Sequence, residues 1–174
     1  MSVIKSVRGY TPQFGKNIYL AEQSVVVGDV ITGDDCSIWF NAVVRGDVNS
    51  IRIGHRVNIQ DNAVVHCTFE KAATDIGNNV SIGHCAIVHG CTIEDNVLVG
   101  MGAIVMDHAV VRKNCIIAAG AVVLENTVLE SNGIYAGIPA KKVKDLEEHH
   151  VQQLIDRIAN NYVKYSSWFR EPSS

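Results

Sequence analysis

An aliphatic residue recurs every six positions over most of the chain, and this period limits the fold more than any other feature. A period of six matches neither an α-helix, with about 3.6 residues per turn, nor a β-sandwich, with turns about every 8–12 residues. It is typical of a β-solenoid, in which each hexad forms a short strand and a corner, and three hexads close one triangular coil. The repeated residues, which we predict to point into the prism, are Leu20, Val26, Thr32, Ile38, Val44, Ile53, Ile59, Val65, Ile76, Ile82, Val88, Ile93, Val99, Val105, Val111, Ile117, Val123, Leu129 and Tyr135.

The composition favours strands as well. The chain has 25 Val and 18 Ile against six Leu, and β-branched residues are enriched in strands. Gly, Asn and Asp lie between the hexads, where corners need a backbone with φ > 0. We therefore predict an all-β solenoid over residues 1–140.

The hexads stop near Pro139, and helical spacing follows. An amphipathic helix is predicted from about Lys142 to Phe169, so that residues 141–170 form a helical segment packed on the solenoid. Its apolar stripe consists of Val151, Leu154, Ile155, Ile158, Tyr162 and Tyr165.

Charge and cysteine content restrict the class of protein. A net charge of −3 argues against binding to nucleic acid or to an anionic membrane surface. No apolar run approaches the ~20 residues that span a bilayer, and residues 1–15 lack the apolar core of a secretory signal. The five cysteines, which form no CxxC pair, fit a reducing compartment and buried positions. We expect a cytoplasmic protein.

Two segments interrupt the hexads, Arg45–Arg52 and Cys67–Asp75. Loops inserted into a solenoid tend to gather on one side and to carry function. Both segments are therefore predicted to be functional loops.

Three of the seven histidines stand in a pattern that predicts a metal site. His66 and His89 each follow a repeated valine, and three hexads separate them once the second interruption is removed. They should lie one coil apart, at a strand spacing of ~4.8 Å, where two imidazoles can share a metal. His84 belongs to the preceding face and could join only from a neighbouring subunit around a threefold axis, giving three sites per trimer. Three imidazoles with an open fourth position are typical of catalytic zinc.

The other histidines have simpler interpretations. His149 and His150 are predicted to be solvated on the helix, and His55 and His108 occupy turns. Among the polar residues near the predicted site, Asp61 could fix the tautomer of a histidine ligand and Gln60 could hold water. The Arg45–Asp47 segment is either an ion pair across an interface or a solvated turn.

These residues resemble a known family. Arg45–Asp47, Asn58–Asn62, Val65–His66 and Ile82–Ile93 are similar to motifs of the γ-class carbonic anhydrases and their YrdA-like or ferripyochelin-binding-protein-like relatives. The resemblance runs from Val25 to Lys164. It implies a left-handed parallel β-helix and a homotrimer with interfacial zinc, or in some members iron or cobalt.

The resemblance also implies residue roles and a reaction. His66, His84 and His89 would bind the metal, Gln60 would bind the metal-bound water, and Asp61 would support a ligand. Arg45 and Asp47 would form an intersubunit ion pair near the substrate. Metal-bound hydroxide would attack CO2 to give bicarbonate.

The chain departs from the family at the proton shuttle. Characterised members carry a Glu after the Arg-Gly-Asp triplet, where this chain has Val48, and Glu70 is the only carboxylate near the start of the short second loop. This departure predicts weak turnover.

Three alternatives remain open. The segment Ala136–Lys141 is also similar to one in hexapeptide acyltransferases. An acyl-CoA thioesterase and a non-catalytic trimeric scaffold are the others.

Overall fold

A computed structural model describes residues 1–170, which form a parallel β-solenoid of about seven coils followed by a helical segment. The predicted solenoid is confirmed. The strands are β1 (Val3–Lys5), β2 (Tyr19–Leu20), β3 (Val25–Thr32), β4 (Ser37–Ile38), β5 (Val43–Ile53), β6 (Asn58–Ile59), β7 (Val64–His66), β8 (Thr74–Ile76), β9 (Ser81–Ile82), β10 (Ile87–His89), β11 (Thr92–Ile93), β12 (Val97–Val99), β13 (Ile104–Val105), β14 (Val110–Val111), β15 (Cys115–Ile117), β16 (Val122–Val123), β17 (Val128–Leu129), β18 (Gly133–Ala136) and β19 (Lys141–Asp145).

The strands form three faces, and neighbouring strands within each face are parallel. The first face contains β2, β4, β6, β9, β12, β15 and β18. The second face contains the first halves of β3 and β5, then β7, β10, β13 and β16. The third face contains the second halves of β3 and β5, then β8, β11, β14 and β17. Since each strand pairs with its counterpart one coil away, residues on one face keep a fixed register along the whole prism.

The repeated aliphatic residues fill the prism. Val44, Ile59, Val65, Ile82 and Val88 are at most 1% exposed and belong to one continuous core. The corners use the left-handed backbone that the sequence predicts, most often at asparagine. One corner carries an amide ladder, in which the side-chain NH2 of each asparagine donates to the side-chain oxygen of the next at 2.9–3.1 Å. Its members are Asn79, Asn96, Asn114 and Asn132, with φ of 57–58°.

The prediction of a loop at Arg45–Arg52 is wrong, because these residues lie inside the continuous strand β5. Strand β5 pairs with β3, and the register shifts between Gly28 and Val30. This irregularity absorbs the extra residues as a bulge does, so the chain needs no loop there. The second interruption does contain a turn, closed by a bridge between Thr68 and Ala72, although β8 begins before it ends.

The C-terminal helix begins later than predicted. Residues Lys141–Asp145 form β19, which pairs antiparallel with β18 and covers the open edge of the last first-face strand. Helix α1 (Glu148–His150), a π-helical stretch (Val151–Asp156) and helix α2 (Arg157–Trp168) then follow. No helix within residues 1–170 is both long enough and apolar enough to cross a bilayer.

The helical segment packs on the first face. Leu146 and Ile155 are buried against outward side chains of that face, and Tyr162 and Tyr165 pack near Trp39. The side chain of Val151, which belongs to the predicted stripe, lies outside the described part of the structure.

Candidate metal centre

His66 and His89 lie side by side on the second face. They are Cα partners in neighbouring strands β7 and β10, and both side chains point out of the prism. The Nδ1 atom of His66 is 3.1 Å from the Nε2 atom of His89. The hexad count therefore predicted their placement correctly, one coil apart.

A carboxylate engages the outer nitrogen of each ring. Asp47 Oδ1 is 3.1 Å from His66 Nε2, and Asp107 Oδ1 is 2.5 Å from His89 Nδ1. Asp107 also accepts a hydrogen bond from the Thr68 hydroxyl. The result is a chain of hydrogen-bonding groups with the two imidazoles at its centre.

The shifted pKa values of these hydrogen-bonding groups favour charged carboxylates at Asp47 and Asp107 and a neutral imidazole at His66. Burial raises the pKa of Asp47, but hydrogen bonds from His66 and Arg45 outweigh burial and leave this pKa below its ordinary value. Asp107 behaves likewise, with Thr68 and His89 as the donors that lower its pKa. Burial lowers the pKa of His66, and the hydrogen bond to Asp47 offsets only part of this effect.

This arrangement suits a cation shared by the two rings. A neutral imidazole has one N–H, and an ionised carboxylate can only accept. If His66 donates to Asp47 and His89 donates to Asp107, the two inner nitrogens face each other 3.1 Å apart with their lone pairs. Two ligand nitrogens of a tetrahedral zinc ion, each about 2.0–2.1 Å from the metal, lie about 3.3 Å apart. The donor set therefore fits zinc.

The third predicted ligand, His84, lies elsewhere. It follows β9 at the corner between the first and second faces. Its Nδ1 is 2.8 Å from Asp61 Oδ2, which leaves Nε2 as the free ligand atom, 3.5 Å from the hydroxyl of Tyr162 on α2. Gln60 is buried beside this corner and donates from Nε2 to Asn58 Oδ1 at 2.9 Å.

The predicted site residues thus separate into two groups within one chain. We call Arg45, Asp47, His66 and His89 the strand half-site, and Gln60, Asp61 and His84 the corner half-site. Within residues 1–170, the one group of three potential ligands with atoms within 4.8 Å of one another is Glu147, His149 and His150, which does not include them. His84 therefore does not join His66 and His89 in the same chain.

Arg45 and Asp47 pair inside one chain. Arg45 Nη1 is 2.6 Å from Asp47 Oδ2, within strand β5. The segment is therefore part of a strand and not a solvated turn. The expected ion pair between subunits stays a prediction. Because both residues point outward from the same strand two positions apart, the strand alone brings them together.

Sequence reasoning missed Asp107 and Thr68. Asp107 lies one coil beyond Gly90. The parallel register that predicted the histidine pair could therefore also have predicted that Asp107 lies near His89. Thr68 belongs to the second interruption, and its contact with Asp107 depends on the path of a loop, which the six-residue period does not describe.

The cysteines do not all occupy buried positions. Cys36, Cys67, Cys91 and Cys115 are buried, whereas Cys85 is exposed at the corner beside His84 with φ = 59°. The expectation of a buried Cys85 is therefore wrong, because a corner residue points its side chain away from the prism. Burial raises the pKa of Cys91 to about 12 and that of Cys67 to about 11.

The Glu147, His149 and His150 group is a surface feature. His149 is exposed, in line with the predicted solvated position, and its Nδ1 is 3.3 Å from Glu147 Oε2. Any measurement of bound metal has to separate this group from the two half-sites.

Known proteins share both the sequence and the fold. Residues 90–125 match the family model "Bacterial transferase hexapeptide (six repeats)". The chain is 51% identical over 151 residues to a "Probable carbonic anhydrase" of Methanocaldococcus jannaschii, covering 87% of this chain and 94% of the relative. It is 42% identical over 168 residues to a "Carbonic anhydrase" of Geobacillus kaustophilus, covering 97% and 91%.

A solved structure has the same architecture. A hexapeptide transferase family protein from Anaplasma phagocytophilum superposes with a TM-score of 0.90 at 37% identity, covering 96% of this chain and 98% of that one. The expected left-handed β-helix agrees with this similarity.

Proposed function

The chain belongs to the γ-carbonic-anhydrase-like family of hexapeptide-repeat proteins, and from that premise we propose that it is a metal-dependent carbonic anhydrase that interconverts CO2 and bicarbonate at sites shared by neighbouring subunits of a homotrimer. The carrying observation is the His66–His89 pair, whose inner nitrogens face each other at 3.1 Å while their outer nitrogens meet carboxylates. Zinc is the proposed metal, with iron and cobalt as alternatives.

The metal would be held by His66, His89 and the His84 of a neighbouring copy. Bound zinc would supply Lewis acidity that lowers the pKa of water to about 7. Around it, Gln60 would orient water, and Asp61 would hold the ring of His84. Arg45, kept in place by Asp47, would attract the bicarbonate anion.

Two features support assembly into a ring. First, the corner half-site lies on a different part of the surface from the strand half-site, so one copy can offer its corner to the strands of the next. A contact between two unlike surfaces closes into a ring when the rotation permits, and three copies give three sites. Second, the second face presents partly exposed aliphatic side chains around the histidine pair, as subunit interfaces do. These side chains are Val25, Val43, Val64, Ile87, Ile104 and Val122.

We also propose a cytoplasmic location and weak turnover. A reducing compartment suits the five free cysteines. Weak turnover would follow from Val48, whose side chain can neither accept nor release a proton, at the position where the family resemblance implies a carboxylate.

The test measures zinc content and CO2 hydration on the same samples. The background protein is His149→Ala/His150→Ala, which removes the surface histidine pair from the metal count. In this background we expect about one zinc per chain and three per trimer, with measurable hydration. His84→Ala should lose both zinc and hydration, whereas His55→Ala, at an exposed turn, should lose neither. A background protein that binds none of zinc, iron and cobalt would overturn the proposal.

Acyl transfer is the second candidate function. It is favoured by the similarity to a structure described as a hexapeptide transferase family protein. A sample that binds zinc but hydrates no CO2 should be assayed with acyl-CoA thioesters, for transfer to an acceptor and for hydrolysis. A zinc-loaded trimer inactive in all three assays would support the non-catalytic scaffold.

A further inference from the structure

Each of the three proposed histidine ligands contacts its own aspartate. Asp47 meets His66, Asp61 meets His84, and the third aspartate, Asp107, meets His89. In each pair the carboxylate contacts one ring nitrogen. Such a contact fixes which nitrogen carries the proton and leaves the other as the ligand atom.

Asp107 reaches His89 because Gly90 leaves room for it. Gly90 has φ = 54°, and a Cβ atom there would overlap the Asp107 carboxylate. The absence of a side chain at position 90 thus lets a residue of the next coil contact the imidazole at 2.5 Å.

Thr68 holds Asp107 from the other side. Its hydroxyl donates to Asp107 Oδ2, while His89 contacts Oδ1. The Thr68–Ala72 bridge closes the turn that carries Thr68. The second interruption therefore has a structural task, because it places a hydroxyl where Asp107 needs a donor.

We propose that Asp107 is a positioning residue that holds His89 in the Nδ1–H tautomer, so that Nε2 faces His66, and that Thr68 acts through Asp107. This inference deepens the proposed metal site and rests on it for its effect on zinc. The tautomer itself is a property of the metal-free chain. It can therefore be tested whether or not the protein binds zinc.

The first measurement is NMR of the imidazole nitrogens in the metal-free protein. We expect His89 to be protonated at Nδ1, with a hydrogen-bonded proton far downfield. Asp107→Asn should weaken or shift that signal, and Asp75→Asn, a matched change on the third face, should not. Protonation of His89 at Nε2 in the unaltered protein would overturn the inference.

The second measurement is zinc affinity by competition with a chelator. We expect Asp107→Asn to weaken binding by about 10–100-fold, as for other partners of ligating histidines. Thr68→Val should weaken it less. The double variant should be no worse than Asp107→Asn, because residues acting through one another are not additive. Thermal melting of each metal-free variant checks that it is folded.

The outcomes separate the two proposals. If His89 shows the Nδ1–H tautomer bound to Asp107 but the protein takes up none of zinc, iron and cobalt, the proposed function fails and the positioning of His89 stands. If the protein binds zinc and Asp107→Asn binds it as tightly as Asp75→Asn does, the positioning role is overturned and the metal site stands.

Discussion

The strand half-site and the corner half-site are built by different means. His66 and His89 are brought together by the parallel register of β7 and β10, within 23 residues of chain. His84 sits at a corner and contacts Tyr162, which is 78 residues away on α2. One half of the proposed centre therefore depends on the solenoid alone. The other half also depends on a helix that docks after the coils are complete.

This difference implies that the halves can be damaged separately. Changes within the prism should affect both, because all coils share one core. Changes in the helical segment should affect only the corner half-site. The following experiments use this contrast, beginning with the largest expected effect.

Mixing two inactive variants tests whether each centre combines halves from two chains. His84→Ala destroys the corner half-site and His89→Ala the strand half-site, so each trimer alone should bind no zinc at the centre. After refolding together, each mixed trimer should contain one intact site. An equal random mixture should recover about one quarter of the sites of the unaltered protein.

Zinc content and hydration in the mixture are compared with those of the two variants kept apart. The background again lacks the His149 and His150 side chains. No recovery in a confirmed mixed trimer would mean that the two halves do not meet across subunits.

Removing the charge of Asp61 should weaken the corner half-site without unfolding it. Asp61→Asn keeps the shape of the side chain but loses the ionic contact with His84. We expect zinc affinity to fall by about 10–100-fold, measured by chelator competition. Asp35→Asn, at a corner with a left-handed backbone (φ = 57°), serves as the control and should bind zinc normally.

Loosening the helical segment should separate the halves. Ile155 is fully buried against the first face, so Ile155→Ala should cost about 2–5 kcal/mol in the free energy of unfolding. The imidazole NMR signals of His84 should change, while those of His66 and His89 should stay. Arg157→Ala, at an exposed position at the start of helix α2, should leave all three unchanged. Equal disturbance of all three histidines would contradict the independence of the strand half-site.

Thiol labelling gives the smallest and most local effect. Because the thiolate is the reactive form, Cys91, with a pKa of about 12, should react slowly near pH 8. Exposed Cys85 should react first in dissociated chains, and more slowly in the trimer if assembly covers the corner half-site. Mass spectrometry of the labelled peptides measures both rates, with Cys85→Ser as the control. Faster labelling of Cys91 than of Cys85 would contradict this order.

The sequence predicted those features that follow from a strict repeat. The six-residue period was enough to place Ile59 and Val88 in the core and to set His66 beside His89, because stacking at fixed register turns spacing into distance. The separation of His84 from that pair followed from the same count. These features need no knowledge of loops.

The errors occur where the repeat is broken. The sequence predicted a loop at Arg45–Arg52, because the residue types do not indicate that β3 and β5 accommodate the insertion through a register shift. Lys141–Asp145 forms a strand because it pairs with the open edge of β18. This pairing depends on the folded solenoid and not on the sequence of the segment itself. The exposure of Cys85 depends on its corner conformation. The contact between Thr68 and Asp107 needs the path of a turn.

The helical segment runs back along the first face, so its contacts depend on the length of the solenoid. Asp156 contacts Asn79, Asn160 contacts Arg56, and Phe169 packs on Tyr19, each further toward the first coil. The segment starts at the last coil and ends at the first, so its length has to match the number of coils. Removing one coil between β12 and β18 would shift the segment along the first face by one strand spacing, ~4.8 Å. Tyr162 would then miss His84, although His66 and His89 would remain paired, so the number of coils is itself part of the site.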